Sequence, residues 1–283
     1  MLNGERITKI VLFLTSLIII FIASGMVLTL MEGAIPAFKE FGFKFIISSD
    51  WNPTDGRESY GALPFIIGTI ATSIIALLIC LPLAFSTSLF IGEIYRGTKL
   101  ASFIGMMVDM LAGIPSIVYG LWGFYVLRPW VVDMGFNDQG YGVFTAGLIL
   151  AIMVIPYATS ISVEMIKMVQ NDLKEAAYSL GATRKDVIFS VILPNARSGI
   201  FTSYILAFGR AVGETMAVTM LIGNSNIIPK GLFDTGNTMA SLIANQFGEA
   251  DGLKLSSLVA IALLLFFITG LINGFGKLLI KKL

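Results

Sequence analysis

Two charged side chains stand in an otherwise apolar stretch of the sequence, AFGRAVGETMAV, at residues 207–218. Arg210 and Glu214 are four residues apart, so on a helix they share one face and lie one turn from each other. A guanidinium offers forked N–H donors that suit the oxygens of an anion, and a neighbouring carboxylate competes for the same donors. The pair therefore predicts either an internal ion pair or a site that binds and releases an anion.

The composition places this stretch in a membrane protein. Of the 283 residues, 56% are hydrophobic and 13% are charged, and the mean hydropathy is +0.86, values typical of the membrane class. There is no histidine and Cys80 is the single cysteine, which excludes histidine-based metal sites and catalytic triads and any disulfide framework. The net charge of +1 gives no indication of nucleic-acid binding.

Six runs of the chain are long and apolar enough for a spanning helix, which needs roughly 20 mostly apolar residues. They lie at 7–30, 64–91, 103–127, 143–165, 200–222 and 255–280. The first is longer than the apolar part of a secretory signal, so we interpret it as an uncleaved helix. The predicted fold class is all-α, a polytopic membrane protein with six transmembrane helices.

Basic residues concentrate in alternate connections between these runs, as membrane topology rules require of cytoplasmic segments. Those assigned to the cytoplasm include Arg6, Lys9, Arg96, Lys99, Lys167, Lys174, Arg184, Lys185, Arg197 and Lys277. The distribution predicts a multi-pass protein of the cell membrane with both termini in the cytoplasm.

Charge inside the fifth run is costly. A continuous helix over 200–222 would put Arg210 about 15 to 18 Å from either end, where a charged residue costs about 2.5 to 3.5 kcal/mol on insertion scales. An ion pair explains how the charges are tolerated, but an apolar pair of equal volume is often as stable. We therefore favour a pathway in which Arg210 contacts the substrate and Glu214 holds the guanidinium when no substrate is bound.

The third run contains the helix-breaking sequence AGIPSIVYG at residues 112–120. Gly113 and Pro115 are expected to interrupt or bend the helix, and Ser116 or Tyr119 could hydrogen-bond to the freed carbonyls. A break that lines the pathway and a kink that only serves packing are equally compatible with the sequence. Nearby acids are interpreted more simply, Asp109 as a cap or interface partner and Glu164 as an interfacial partner of Lys167.

The longest cytoplasmic connection, NDLKEAAYSLGATRKDVIFSVILP at 171–194, predicts two short helices with a sharp bend. Asp172 and Thr183 are candidate helix caps, with Glu175 and Asp186 three residues later, and Gly181 is a natural terminator. Lys174, Arg184 and Lys185 are expected to face water or a partner, and Ala176, Ala177, Tyr178 and Leu180 to form a shallow apolar surface. By physics alone, helices lying on the membrane and a docking site for another protein are evenly matched.

This segment resembles the cytoplasmic loop of ABC-importer permeases, in which Glu-Ala-Ala precedes a glycine and, further on, a hydrophobic-x-Leu-Pro ending. The resemblance implies a type I ABC importer permease fold and a loop, at 168–195, that sits in a groove of an ATPase subunit. The implied coupling residues are Glu175, Ala176, Ala177, Gly181, Ala182, Arg184, Leu193 and Pro194. Since no GxxxxGK[ST] sequence occurs in this chain, it should have no ATPase site and no cofactor of its own, with ATP and magnesium bound by that partner.

Further stretches are similar to the PstC-type permeases of phosphate importers. They are YGALPFIIGTIATS from residue 60, LAGIPSIVYGLWGFYVL from 111, LPNARSGI from 193, GRAVGETMAVTMLIGN from 209 and TMASLIANQFGEA from 238. The resemblance implies an ATP-driven phosphate permease, with residues 1–63 as an N-terminal helix and external loop and 64–280 as the permease core. It also implies a PstA-type sister permease, an ATPase dimer, surrounding membrane lipid, and an external phosphate-binding protein that reaches the segments 51–60 and 224–251.

Other functions predict other sequences. An ion-coupled secondary transporter acting alone would show inverted repeats and ionisable groups in several spans, whereas charge at depth is confined here to one pair. A permease for a related oxyanion would share the same residues, and a structural or sensory role could accompany transport.

Overall fold

The computed structural model describes residues 2–54 and 56–280. Nearly all secondary structure in these residues is helical, which confirms the all-α prediction. The exception is a small antiparallel sheet of β1 (Trp51–Asn52) and β2 (Ser59–Tyr60), with Trp51 paired to Tyr60. This hairpin belongs to the connection that follows the first helix.

The first half of the chain runs from the long N-terminal helix to the centre of the core. Its elements are α1 (Leu2–Phe41), α2 (Lys44–Ile47), α3 (Leu63–Leu89), α4 (Lys99–Ala112), α5 (Ser116–Trp122), α6 (Arg128–Asp133) and α7 (Val143–Lys167). A π-helical turn at Phe90–Ile94 extends α3, and another at Gly123–Leu127 joins α5 to α6. Such turns insert an extra residue and commonly mark functional segments.

The second half contains the bent segment and the C-terminal helix. Its elements are α8 (Asn171–Ser179), α9 (Arg184–Val187), α10 (Leu193–Val212), α11 (Met216–Thr219), α12 (Met239–Gln246) and α13 (Gly252–Ile280). A π-helical turn at Ile188–Ile192 joins α9 to α10, and a 3₁₀ turn at Phe247–Glu249 follows α12.

Four of the six predicted spans are long, apolar helices. They correspond to Glu5–Phe41, Leu63–Ile94, Val143–Lys167 and Gly252–Ile280, and a fifth span is obtained if the bent pair Lys99–Ala112 and Ser116–Asp133 is counted as one. The pair is bent by 97°, so the predicted third span exists but is not a single helix. Its interruption at residues 113–115 confirms the expected break.

The predicted fifth span, 200–222, is corrected by the structure. Helix α10 begins at Leu193 and ends at Val212, and a separate short helix, α11, starts at Met216. Helix α10 is not among the helices apolar enough to count as a span by composition. Arg210 therefore lies in the last turn of α10, about 26 Å along the axis from Leu193, and not at the middle of a continuous helix.

Helices α3, α7 and α10 form the centre of the protein. Their contact faces carry small residues that let the backbones approach: a Cβ on Gly147 of α7 would come within 2.7 Å of Ile75 on α3. The hydroxyls of Ser162 on α7 and Ser203 on α10 are 2.7 Å apart. Small residues and interhelical hydroxyl pairs are the usual means of packing helices in lipid, where apolar surface alone gives no net attraction.

A second cluster joins α1 and α13 to the hairpin of β1 and β2. Ala34 and Ala37 of α1 are buried in it with Phe45, Trp51 and Tyr60. The Trp51 indole nitrogen donates to Gln246 Oε1 at 3.2 Å, which fixes the hairpin to the end of α12. The connection after the first helix is therefore ordered, as its turn-rich sequence predicts.

Candidate functional site

The break between α4 and α5 is closed by two tyrosines. The helix stops at Ala112 and restarts at Ser116, which leaves the last carbonyls of α4 without partners in their own helix. The Tyr119 hydroxyl donates to Leu111 O at 2.8 Å and the Tyr157 hydroxyl donates to Ala112 O at 2.9 Å. The role anticipated for Tyr119 is confirmed, whereas Tyr157, on α7, was missed.

Ser116 lies at the first position of α5 and is half-buried. Within residues 2–54 and 56–280 its hydroxyl makes no hydrogen bond that would satisfy a carbonyl of the break. The two tyrosines satisfy these carbonyls instead. Ser116 therefore stays a candidate pathway residue only because of its place beside the break.

Arg210 lies directly beside this break. Its guanidinium carbon is 4.0 Å from the centre of the Tyr157 ring, a cation–π contact within the usual range. Tyr157 thus contacts Arg210 through its ring and Ala112 through its hydroxyl. The side chain of Arg210 is exposed on the surface of this single chain, so it remains accessible.

Glu214 does not pair with Arg210 in the described part of the chain. Because α10 ends at Val212, the two residues are not one turn apart on a common helix, and the geometric premise of the ion pair is wrong. Glu214 is half-buried and its Oε1 accepts a hydrogen bond from the Ala217 amide at 3.4 Å. The carboxylate therefore lies at the start of α11, where exposed amides and the helix dipole favour negative charge.

The two interrupted helices meet at Gly120. A Cβ on this residue would come within 2.8 Å of Met220 Sδ and 3.1 Å of Ala217 Cα, so glycine permits α5 and α11 to pack closely. The interruptions at 113–115 and 213–215 are brought together by this contact. The helix break, Tyr119 and the segment that follows Arg210 therefore pack together.

Polar residues continue from Tyr157 along the same face of α7. Ser160, Glu164 and Lys167 follow at helical spacing. The Ser160 hydroxyl donates to Asp109 Oδ1 on α4 at 3.1 Å, and Lys167 Nζ lies 3.5 Å from Glu164 Oε1. The predicted Glu164–Lys167 pair is confirmed, and Asp109 is shown to be an interhelical hydrogen-bond partner.

These residues border two neighbouring cavities between α4 and α7. The smaller, about 230 Å³, is lined by Asp109, Ser160, Glu164 and Lys167, among others. The larger, about 600 Å³, shares Asp109 and Lys167 and extends to Arg96. The smaller cavity follows α7 from residue 159 to residue 167, and the larger one continues from Lys167 towards Arg96.

The predicted bent segment is formed by α8 and α9. Gly181 has a φ of +84°, a conformation that glycine adopts without strain at the end of a helix. At the start of α9 the Thr183 hydroxyl accepts from the Asp186 amide and the Asp186 carboxylate accepts from Thr183 N at 3.0 Å, which confirms this cap. Asp172 does not cap α8, because the helix already begins at Asn171 and the preceding Gln170 makes no side-chain cap.

Hydrogen bonds from the Thr183 hydroxyl and amide hold the pKa of the Asp186 carboxyl below its ordinary value. A lowered folded-state pKa means that this cap contributes stability above the ordinary carboxyl pKa and loses it only as the pH falls through the lowered one. The bend at residues 180–183 is therefore fully capped at neutral pH.

The exposed side of α8 carries the predicted apolar surface. Leu180 is 90% exposed, and Leu173 and Tyr178 are also exposed. Glu175 and Ala176 lie on this surface. Ala177 and Ala182 instead pack against the main core. These two predicted coupling residues therefore hold the segment in place and do not belong to its exposed surface.

Lys174 does not face water or a partner protein, in contrast to the prediction. It is 7% exposed, and its Nζ lies 2.6 Å from Glu93 Oε2 in the π-helical turn that ends α3. Arg184, although exposed, donates through Nη2 to the Ile94 carbonyl at the same corner. Lys174 therefore faces the protein and not water, which helical spacing alone could not reveal, whereas Arg184 stays exposed as predicted.

The predicted ending of the segment lies where α10 begins. Leu193 is half-buried against the main core and Pro194 is exposed in the first turn, a position where proline's missing N–H costs nothing. The π-helical turn before it carries Val191, so the segment joins α10 without a loop.

Comparison with known proteins assigns the chain to a family. Residues 84–283 match the family described as binding-protein-dependent transport system inner membrane component. The phosphate transport system permease protein PstC of Pasteurella multocida is 39% identical, with 94% of this chain and 88% of that protein covered. The corresponding protein of Haemophilus influenzae is 38% identical over 99% of this chain and 94% of its own length.

A solved structure shows the same fold at low identity. In the inward-facing MetNI methionine ABC transporter, a chain aligns with a TM-score of 0.61 at 18% identity, covering 76% of this chain and 92% of that one. The type I ABC importer permease fold is thereby confirmed, and membership of this family implies an ATPase and a binding protein as partners. The chain belongs to the binding-protein-dependent transport permeases and, among them, to the PstC-type permeases of phosphate transport systems.

Proposed function

We propose that this chain imports inorganic phosphate as the permease subunit of an ATP-driven complex, with Arg210 as the residue that contacts the anion. The proposal rests on the surroundings of the Arg210 side chain. It is a cation beside a helix break, held by the ring of Tyr157, with no ion pair to a carboxylate in the described part of the chain. An arginine of this kind keeps its forked donors available for phosphate oxygens.

The surroundings of Arg210 support a pathway and not a packing kink. The break at 113–115 has its carbonyls satisfied by Tyr119 and Tyr157, so it is a stable interruption of a spanning element. Irregular backbone at membrane depth is tolerated where it is buried in protein or lines a water-filled cavity. Two cavities lined by Asp109 and Lys167, among others, lie further along the helix that carries Tyr157, and we propose that they continue the route of the anion from Arg210.

Glu214 is assigned a different role from direct holding of the guanidinium. Its carboxylate is held at the start of α11, so it adds negative potential near Arg210 without occupying its donors. This arrangement weakens anion binding enough for release while leaving the site open. Ser116, at the start of α5 on the other side of the break, is retained as a pathway residue.

The remaining components follow from the family. We propose that the chain pairs with a PstA-type sister permease to complete the pathway, and that ATP and magnesium are bound by the ATPase dimer that receives α8. An external phosphate-binding protein would contact the hairpin at 51–60 and the segment 224–251. We propose that both termini lie in the cytoplasm, on the same side of the membrane as Lys174 and Arg184.

The substitution Arg210→Gln tests the proposal. In proteoliposomes containing the whole complex and the binding protein, we expect it to abolish phosphate uptake while the complex remains assembled. Arg128→Gln is the matched control, because Arg128 also lies over an aromatic ring, Tyr141, at 4.1 Å, but outside the break. Uptake by the Arg210→Gln complex at a rate near that of the unmodified complex would refute the pathway role.

The same preparation separates the importer from a secondary transporter. Import by an ABC complex requires enclosed ATP and the ATPase subunit. Uptake driven by an ion gradient without ATP would contradict the proposal, whatever the effect of the Arg210 substitution.

A further inference from the structure

The contact between Lys174 and Glu93 joins the cytoplasmic segment to the body of the protein. Among the three ion pairs of the described residues, Lys9–Glu5 and Lys167–Glu164 each lie within one helix and are exposed. Lys174–Glu93 connects residues 81 positions apart, with side chains only 9% and 12% exposed. Lysine is almost never buried unless it is paired, so this burial calls for an explanation.

We infer that the Lys174–Glu93 ion pair is a positioning contact that transmits the movement of α8 to α3, so that ATP hydrolysis and phosphate transport stay coupled. The inference rests on the proposed function. It assigns to these two side chains a mechanical role distinct from docking, which belongs to the opposite, exposed side of α8 around Leu180.

The corner that receives α8 is built to be rigid. Gly92, next to Glu93, packs so closely on α7 that a Cβ would come within 2.9 Å of Ile166. Arg184 of α9 donates to the carbonyl of Ile94, the next residue after Glu93. The two short helices are therefore fastened at adjacent points of one π-helical turn, which restricts rotation as well as translation.

Helix α3 extends from this corner to the opposite side of the protein. Together with its π-helical turn it spans Leu63–Ile94, 32 residues, or about 48 Å at the α-helical rise. At its far end the Thr69 hydroxyl accepts a hydrogen bond from Met239 N at 3.0 Å, and Gly68 packs directly against the carbonyl of Asn237. A displacement applied at Glu93 is thus carried by one continuous element to the segment 223–252.

A charged pair suits this role better than apolar packing. Apolar contacts are non-directional and allow sliding, whereas a short, largely desolvated ion pair fixes the distance and direction between two points. Such pairs are often no more stabilising than apolar residues of equal volume. Their value here is that α8 cannot shift along α3 without separating the charges.

The first test is a charge reversal and its repair. The complex is reconstituted with Lys174→Glu, Glu93→Lys and the double exchange, and the phosphate imported per ATP hydrolysed is measured. We expect each single change to lower this ratio by at least about fivefold, because two like charges then face each other at a largely buried position, and the double exchange to restore it to within about twofold. Lys9→Glu is the matched control, since it breaks an exposed pair within one helix.

A purely structural role gives a different result. It would reduce the amount of assembled complex, while the complex that survives would keep the unmodified ratio of phosphate to ATP. That outcome overturns the inference but not the proposed function. Failure of the unmodified complex to import phosphate at all would refute the proposed function itself.

A second test remains informative if the reversed pairs fail to assemble. Cysteines replace Glu93 and Lys174 in a background with Cys80→Ala, since Cys80 is the one native thiol. A short, reducible reagent that links two thiols should raise the lowered transport ratio, and reductant should lower it again. If linking the two positions arrests transport, α8 must slide along α3 during the cycle, and the inference is wrong.

Discussion

The guanidinium of Arg210 rests on an aromatic face and not against a carboxylate. An ion pair would cancel its charge, whereas the Tyr157 ring attracts the cation through its quadrupole and leaves the net charge in place. The same tyrosine fastens the broken end of α4 through its hydroxyl. One residue therefore sets both the position of the cation and the shape of the break, and the two effects can be separated by substitution.

We expect Tyr157→Phe and Tyr157→Leu to differ. Phenylalanine keeps the ring beneath Arg210 but removes the donor to Ala112 O, which should lower the free energy of unfolding by about 1 kcal/mol and leave most phosphate uptake. Leucine also removes the cation–π contact, worth about 0.5 to 2 kcal/mol, so uptake should fall much further. Thermal unfolding of the purified complex and uptake in proteoliposomes measure the two effects. Equal losses of uptake would show that the ring does not position Arg210.

Interrupted helices are the characteristic elements of this protein. Two elements, α4 with α5 and α10 with α11, stop and restart at nearby positions, and the short pieces after each break pack on each other at Gly120. A break exposes backbone groups that must be satisfied internally in a membrane. The Tyr157 side chain lies at both breaks, since its hydroxyl bonds to Ala112 O and its ring contacts Arg210.

The contact at Gly120 predicts a steric effect. Gly120→Ala puts a methyl group 3.1 Å from Ala217 Cα, a backbone atom that cannot move aside. We expect a loss of about 1 to 3 kcal/mol in the free energy of unfolding, as overpacking typically costs, together with reduced uptake. Gly270→Ala is the control, because Gly270 lies within α13 with no atom within 4 Å of an added Cβ. It should be neutral or slightly stabilising, since alanine is the better helix former; equal losses at both positions would contradict the close packing of α5 and α11.

At the scale of the whole molecule, polar contacts between elements cluster at the two ends of α3. The fastening of α8 and α9 to Glu93 and Ile94 lies at one end of α3, and the hairpin and α12 lie at the other. The Arg210–Tyr157 contact lies between them. Under the proposed function, the ATPase acts at the first end and the substrate enters at the second.

The orientation of these ends is tested by labelling. In a Cys80→Ala background, cysteine at the exposed positions Leu180 or Asp138 is treated with a membrane-impermeant thiol reagent in right-side-out vesicles. We expect labelling at 138 and none at 180 until the membrane is opened. The reverse pattern would overturn the placement of both termini in the cytoplasm.

Much of this architecture could be predicted from local sequence. Long apolar runs identify spanning helices, because a bilayer accepts little else. The sequence GIP predicts the break at 113–115, and Gly181 with Thr183 and Asp186 predicts the bend between α8 and α9. In each case the responsible residues are neighbours in the chain, so the physics that decides the structure is local.

Contacts between distant residues were not accessible in the same way. Helical spacing suggested a Glu214 partner for Arg210, but α10 ends first and Tyr157, 53 positions earlier in the sequence, takes that place. The same spacing left Lys174 facing water, while the tertiary structure buries it against Glu93.

The sequence by itself determined the class of the protein, most of its spans, the bend between α8 and α9 and the presence of a cation at Arg210. These follow from transfer free energies and local backbone preferences, which depend on a residue and its neighbours. Only the tertiary structure decided what that cation contacts, how the two broken helices support each other and where α8 is fastened. Those outcomes depend on which side chains meet across helices, and a pairwise contact has no signal in a single sequence.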